Sequence, residues 1–294
     1  MAIRKAVIPA AGVGTRFLPA TKAQAKEMIP VVDRPGIQYV VEEAVRAGMD
    51  DILIITGRGK SAIEDHFDRS PELEDFLEAG GKDELLAEVR RIGELANVHF
   101  VRQKTARGFG DAVAMARAHV GGEPFAVLVG DEIVPEPVGD EPPLLERMVA
   151  AYEEHGGSVV AVQRVAPEDI PSYGIVDCEP IAGDIVRVRD MVEKPSREEA
   201  PSDLGARGRY VLAPDIFDAI DRTTEGVGGE IQLTDAIRIL AHEQSVFAYI
   251  HPGPIFDVGK KLDYLKASIM LALRRDDLSK PLREWLAEIA PTLQ

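Results

Sequence analysis

Residues 11 to 26 carry the densest chemistry in the chain. Ala11-Gly12-Val13-Gly14-Thr15-Arg16 places two glycines beside an arginine, and Lys22 and Lys26 follow. Glycine lets a backbone approach a ligand closely and turn its N–H groups toward it. Fixed amide dipoles with cationic side chains just downstream suit concentrated negative charge, as in a polyphosphate. A dinucleotide-binding loop needs a third glycine where this chain has Phe17. Gly57-Arg58-Gly59-Lys60-Ser61 ends like a P-loop, but that motif needs its first glycine where this chain has Ile54. We read it as a plain strand-to-helix turn.

Carboxylates and amides supply the other candidates. Asp131, in Val129-Gly130-Asp131-Glu132, and Asp257, in Phe256-Asp257-Val258-Gly259, each follow an apolar run. A carboxylate at a strand's end is well placed to hold Mg²⁺, which takes one or two carboxylates beside substrate phosphates. Taken singly, Asp131 also fits a surface turn and Asp257 a helix N-cap. Glu193-Lys194-Pro195 offers an acceptor for sugar hydroxyls next to a point charge for a phosphate. The same two side chains alone also fit a salt-bridged pair on a ribbon. Gln103 opens Gln-Lys-Thr-Ala-Arg-Gly-Phe-Gly. Its amide has both donor and acceptor, enough to match a base edge carrying a carbonyl and an N–H.

The elements that must position these residues alternate. Apolar runs predict strands at 6–10, 51–56, 98–101 and 125–129. Helical spacing predicts helices at 36–47, 61–67, 71–79, 83–95 and 110–119. Repeated strand–helix–strand units imply right-handed crossovers and a mostly parallel sheet. Beyond a strand at 158–162 the pattern changes to short strands at 174–177, 185–193 and 207–212, read as antiparallel ribbons at the sheet edge. Helices at 215–220, 230–242, 260–273 and 282–290, with a strand at 246–251, complete the chain. The expected class is α/β: a Rossmann-like open mixed sheet, mostly parallel, with helices on both faces and a small antiparallel insertion. Ligands of such sheets bind beyond the strands' carboxyl ends. We expect one domain over 1–294, with the helices of 260–294 in the core or at a subunit interface; Leu262, Leu265, Ile269, Leu273 and Trp285 form their apolar faces.

Gly12-Val13-Gly14-Thr15-Arg16-Phe17-Leu18-Pro19, with the lysine at 26, resembles the signature of the sugar-phosphate nucleotidylyltransferases. The match through Lys26-Glu27-Met28-Ile29-Pro30 and on to Ala44 is similar to the bacterial branch that joins UTP to glucose 1-phosphate. The resemblance covers nearly the whole chain and implies the nucleotide-diphospho-sugar transferase fold. It implies an Mg²⁺-assisted in-line transfer of a uridylyl group, with release of pyrophosphate. Ala11, Gly12, Gly14, Gln103 and Gly108 would then contact the nucleotide. Asp131 and Asp257 would hold the metal. Arg16, Lys26 and Lys194 would act on the phosphates, and Gly174, Glu193 and Lys194 would hold the sugar phosphate. Gly208-Arg209-Tyr210-Val211 and the stretch from Gly229 to Asp235 also match, the latter read mainly as a helix start. It implies a homo-oligomer, dimer or tetramer. Three positions depart from the branch: Ala25 where proline is usual, Asp111 where histidine is usual, and Gly130 where proline is usual. Gly130-Asp131 is instead similar to the wider family, thymidylyltransferases included. Asp111 is read as a cap of the helix that starts there. The alternatives are thymidylyl transfer or another sugar 1-phosphate, and, more remotely, a non-catalytic regulator that binds nucleotide sugars.

Composition narrows the partners. The 294 residues hold 34 basic and 50 acidic side chains, a net charge of −16. That disfavours nucleic acid and anionic membrane, which call for a basic face. The cations near Gly12 are therefore a local exception. Cys178 is the single cysteine, so no disulfide forms within the chain, and a reducing, cytoplasmic setting is expected. No stretch is long and apolar enough to span a bilayer.

Overall fold

A computed structural model describes residues 2–293. Nine strands form one sheet: β1 (Lys5–Ala10), β2 (Asp51–Thr56), β3 (Asn97–Arg102), β4 (Phe125–Leu128), β5 (Val159–Arg164), β6 (Gly174–Ala182), β7 (Ile185–Glu193), β8 (Leu204–Leu212) and β9 (Val246–Ile250). Their order is β3-β2-β1-β4-β8-β5-β9-β7-β6. Only β7 and β8 run against the others. The sheet is thus mixed and mostly parallel, with the expected antiparallel ribbon, β6–β7, at one edge.

The described residues form eleven helices: α1 (Gly36–Arg46), α2 (Ser61–Phe67), α3 (Pro71–Ala79), α4 (Asp83–Gly93), α5 (Phe109–Ala114), α6 (Arg117–Val120), α7 (Leu144–His155), α8 (Ile216–Arg222), α9 (Leu233–Glu243), α10 (Lys261–Ala272) and α11 (Asp276–Ile289). The strand side chains alternate between two cores. Val7, Leu53 and Ile55 meet α5, α8 and α9 on one face, while Ile8, Ile52 and Ile54 meet α1, α2 and α7 on the other. In α1, Ile37, Val40, Val41 and Ala44 form the buried stripe, and Gly48 at φ 86° follows its end. A smaller third core, with Val31, Ile133, Phe256 and Val258, seats α10 through Ala267.

Four elements differ from the sequence reading. The expected edge strand 207–212 is β8, which begins at Leu204 and lies between β4 and β5, buried along its whole length. A register shift between Ala206 and Tyr210 fits its arginines into that position. The helix expected over 110–119 divides into α5 and α6, where the amides of Met115 and Ala116 turn to carbonyls three residues back. The helix expected from Glu230 starts at Leu233, because the backbone of Ile231 is taken: its N–H donates to Arg107 O and its O accepts from Gly110 N, both at 2.8 Å. The last helix starts at Asp276, with Pro281 inside it.

This topology sets up the site. β1 to β4 are parallel neighbours, so the loops leaving Ala10, Thr56, Arg102 and Leu128 emerge side by side. At the amino ends His119 Nε2, 2.7 Å from Asp51 Oδ1, ties α6 to β2. Near the middle of the sheet Arg209 is fully buried. Its Nε and NH2 donate to the two Glu43 oxygens at 3.0 and 2.7 Å, its NH1 to Gly208 O at 2.9 Å, and NH2 also to Glu132 O at 2.7 Å. One guanidinium therefore locks β8, α1 and the turn after β4 together. Removing one partner of such a pair strands a buried charge. Glu43→Ala is expected to lower the unfolding free energy by about 3–5 kcal/mol, read from urea denaturation. An unchanged midpoint would contradict this role for the pair.

Candidate active site

The loop after β1 is open, with Val13 78% exposed. Gly14 sits in the left-handed region at φ 71°, and a side chain there would press on Lys26 Cβ at 3.1 Å. Gly14 thus shapes the turn that places Lys26. Thr21 Oγ1 donates to its carbonyl at 2.7 Å. Gly12 is exposed, and the end of Lys26 lies against it. Lys22 stays on the surface. Beneath the loop, Gly57 lets Ala11 O approach to within 2.9 Å of where a Cβ would stand. The turn at 57–60 is therefore a strand-to-helix turn, as read, but it also floors the first loop. Lys60 completes that floor, donating to both oxygens of buried Glu27 at 2.9 and 2.7 Å. Burial pushes the Glu27 carboxyl up and the Lys60 ammonium down, and their pairing opposes both.

Asp131 and Asp257 meet. A two-strand pairing sets Glu132 against Asp257 and Ile133 against Phe256, and Val258 N donates to Asp131 O at 2.9 Å. A side chain on Gly259 would lie 2.7 Å from Asp131 Oδ2 and 2.9 Å from Asp257 Oδ1, so both carboxylates converge on that glycine. Each carries a cation: Lys26 Nζ at 2.6 Å from Asp131, and Arg16 NH1 at 3.0 Å from Asp257. Burial and then the neighbouring Asp131 push the Asp257 carboxyl above its ordinary range. Burial lowers Lys26, but Asp131 and Glu27 more than offset it and hold its ammonium above the usual value. Two buried, convergent carboxylates form a hard-oxygen donor set that fits a small divalent cation such as Mg²⁺. Asp257 is not the N-cap of α10, which is Lys260; its Oδ1 accepts from Gly259 N at 3.0 Å. Glu132, opposite Asp257 in that pairing, accepts from Gly208 N at 3.0 Å.

Beside the pair lies a cleft of about 240 Å³. Ala11, Gly12, Lys26, Gln103, Gly108 and Asp131 all line it. Larger hollows exist, such as one of about 510 Å³ bounded by Arg34, Glu42 and Arg91, but those side chains are already paired with one another. Gly108 stands at φ 112°, and a Cβ there would meet Ile231 O at 2.5 Å. The segment 230–232 therefore backs the Gln103–Gly110 loop, a contact with no local signature.

Glu193 ends β7 and Lys194 follows it. Glu193 Oε2 accepts from Thr234 Oγ1 at 2.7 Å, and its Oε1 lies 3.1 Å from Lys194 Nζ. A side chain at Gly174, its register partner, would strike Thr234 Oγ1 at 2.8 Å and crowd Glu193. Lys194 is held in the left-handed region at φ 47°, its N–H donating to Tyr173 O at 3.0 Å. A non-glycine residue rarely keeps that conformation unless its surroundings impose it. Tyr173 also joins this group to the aspartates: Lys260 Nζ lies 3.2 Å from its hydroxyl, and Lys260 N donates to Asp257 O at 2.8 Å. The sequence reading gave no site role to Thr234, Tyr173 or Lys260, and took Lys60 only as part of a strand-to-helix turn. Thr234 carried a signal, since it lies in the Gly229–Asp235 stretch that matches the family.

The departures have plain explanations. Ala25 holds φ −61°, the value a proline would impose. Nothing in the structure demands glycine at 130, where a Cβ would make ordinary contacts. Asp111 does not cap α5, whose N-cap is Gly108; its carboxylate faces Gln103 and Arg107 instead.

With that geometry in view, comparison with known proteins is direct. The nucleotidyl transferase family model matches residues 5–273. The chain is 50% identical over 287 residues to UTP–glucose-1-phosphate uridylyltransferase YngB of Bacillus subtilis, covering 98% of this chain and 95% of that one. It is 50% identical over 289 residues to UTP–glucose-1-phosphate uridylyltransferase 1 of Staphylococcus saprophyticus, covering 98% and 99%. Among solved structures, a UTP-bound UGPase from Acinetobacter baumannii aligns with a TM-score of 0.89 at 42% identity, covering 98% of this chain and 99% of that one. A UDP-glucose pyrophosphorylase complexed with UDP-glucose aligns at 0.84 and 41% identity, covering 93% and 100%. This chain belongs to the nucleotidyl transferase family.

Proposed function

We propose that the chain transfers the uridylyl group of UTP to α-D-glucose 1-phosphate, giving UDP-glucose and pyrophosphate. The observation that carries this is the meeting of Asp131 and Asp257, each with its cation, at the edge of the cleft lined by Gln103 and Gly108. The names of relatives aligned over nearly their full length support the same substrates. A phosphate oxygen of the sugar phosphate attacks the α-phosphorus of UTP in line. The new P–O bond forms as the bond to the β-phosphate oxygen breaks, and pyrophosphate carries away that electron pair. The nucleophile is already ionised, so no general base is needed, and catalysis is positioning plus charge stabilisation. Asp131 and Asp257 would hold Mg²⁺. Bound there, it supplies charge neutralisation on the nucleotide phosphates. Arg16 and Lys26 face the departing pyrophosphate. Glu193, oriented by Thr234 beside Gly174, accepts from the sugar hydroxyls. Lys194 holds the sugar phosphate against its repulsion from the triphosphate. Ala11, Gly12 and the Gly108 amide approach the nucleotide, and Gly14 sets the turn. We further read 1–294 as one transferase unit acting in the cytoplasm, in keeping with a single free cysteine. Among the described residues no helix is long and apolar enough to cross a membrane.

The assay that tests this follows pyrophosphate release with UTP, dTTP, CTP and ATP against several hexose 1-phosphates, with and without Mg²⁺. UTP with glucose 1-phosphate is expected to be the best pair, and metal-dependent. Lys194→Ala and Asp131→Ala are each expected to lower kcat/KM by at least about 10²-fold while the melting curve stays cooperative. Near-native turnover in either variant would remove its assigned role.

We also infer a homo-oligomer. α10 and α11 leave Leu262, Leu265, Ile269 and Trp285 exposed, at 62, 54, 39 and 53%, and α11 buries no residue in the described chain. Contiguous apolar faces of this kind are usually covered by a partner. Sedimentation velocity is expected to show a dimer or tetramer that Trp285→Glu weakens; a monomer for the native chain at micromolar concentration would contradict it.

A further inference from the structure

We propose that Asp111 fixes which end of the Gln103 amide meets the nucleobase, and thereby restricts the site to bases that carry an imide N–H. The inference rests on the reading that the cleft beside Asp131 holds a base. Gln103 and Asp111 are both buried, at 7 and 8% exposure. Gln103 Nε2 donates to Asp111 Oδ2 at 2.7 Å, and the other carboxylate oxygen accepts from Arg107 NH2 at 2.7 Å.

An ionised carboxylate only accepts hydrogen bonds. A glutamine amide can be set in two senses, and here only one of them bonds. Turning it over would press Oε1 against Oδ2, two lone-pair oxygens at hydrogen-bond distance in a buried place. The weaker contact of Nε2 with Gly108 O, at 3.5 Å, has the same sense. Gln103 is therefore left with Oε1, an acceptor, for a ligand. Among the described residues no protein donor reaches that oxygen, and the Gly108 N–H donates to no protein group. The residues thus offer one acceptor and one nearby donor.

Uracil and thymine carry an N3–H flanked by carbonyl oxygens, which matches an acceptor beside a donor. Cytosine has a bare lone pair at N3, and would set it against Oε1. A site built around a fixed hydrogen bond rejects the ligand that cannot make it, because its own polar group is left unpaired. The same logic explains why Arg107 sits on the outer oxygen of Asp111. It offsets the carboxylate's charge near an anionic ligand while leaving the inner oxygen for Gln103. Asp111 is a positioning residue here, and it discriminates base class, not uracil from thymine.

Isothermal titration of UTP and of CTP into the full-length chain tests this, with Asp111→Asn as the variant. An asparagine at 111 can donate as well as accept, so Gln103 is free to turn over. The native chain is expected to favour UTP, and the ratio of UTP to CTP affinity is expected to fall at least about tenfold in the variant. Asp111→Ala, which removes the acceptor altogether, is expected to give the same fall and serves if the asparagine variant does not fold. A ratio that stays at the native value in a folded variant overturns the proposal while leaving the reaction assignment standing. A changed ratio in a chain that never turns over glucose 1-phosphate supports the role of Asp111 and overturns the reaction instead. A native chain that binds CTP as well as UTP overturns it outright.

Discussion

Two buried carboxylates brought within reach of one another are unfavourable, and the structure is arranged to hold them there. Unit charges about 4 Å apart repel by about 4 kcal/mol at an effective dielectric near 20. Asp131 comes from the end of a central parallel strand and Asp257 from a segment more than a hundred residues later. Their backbones are stitched by the short pairing of 132–133 with 256–257. Lys26 and Arg16 then neutralise one each. These are the same cations proposed to face pyrophosphate. On that proposal, substrate binding would exchange partners: the phosphates would gain the cations that the carboxylates hold here.

Further charge pairs support the strand ends below. Lys60 and Glu27 lie under the first loop, and Arg209 and Glu43 clamp the turn that carries Asp131. Buried pairs contribute little net stability when complete, yet are costly to break. Their effect here is to give each loop one position. The chain carries a net charge of −16, and Arg16, Lys26 and Lys194 are each paired with a local carboxylate. That leaves little free positive potential to gather unrelated anions.

Much of this was legible in the residues. Parallel strands buried on both faces announce themselves as unbroken apolar runs, and β1, β2 and β4 fall within a residue or so of their expected bounds. Gly12 and Asp131 could be singled out because each follows such a strand, and parallel neighbours bring their ends together; Gln103 and Gly108 follow the half-exposed β3 and were assigned from the family resemblance. What could not be read was pairing between distant segments. Nothing near Glu230 says that Ile231 will give its backbone to Arg107 and Gly110, so the start of α9 was misplaced. Thr234 binds Glu193 across 41 positions, and Lys60 reaches Glu27 across 33. β8 was assigned to the edge because glycine and arginine dilute its apolar pattern, although those arginines are buried in ion pairs. Asp111 is the instructive case. Its position in the first turn of a helix invites a capping role, while its partner lies in the loop before.

The most direct test of the whole arrangement is a crystal of the chain grown with UDP-glucose and Mn²⁺, measured for anomalous scattering. The anomalous peak is expected between the carboxylates of Asp131 and Asp257, with the uracil against Gln103 and the glucose against Glu193. A peak bound by other residues, or a nucleotide lying away from the loop after β1, would contradict it.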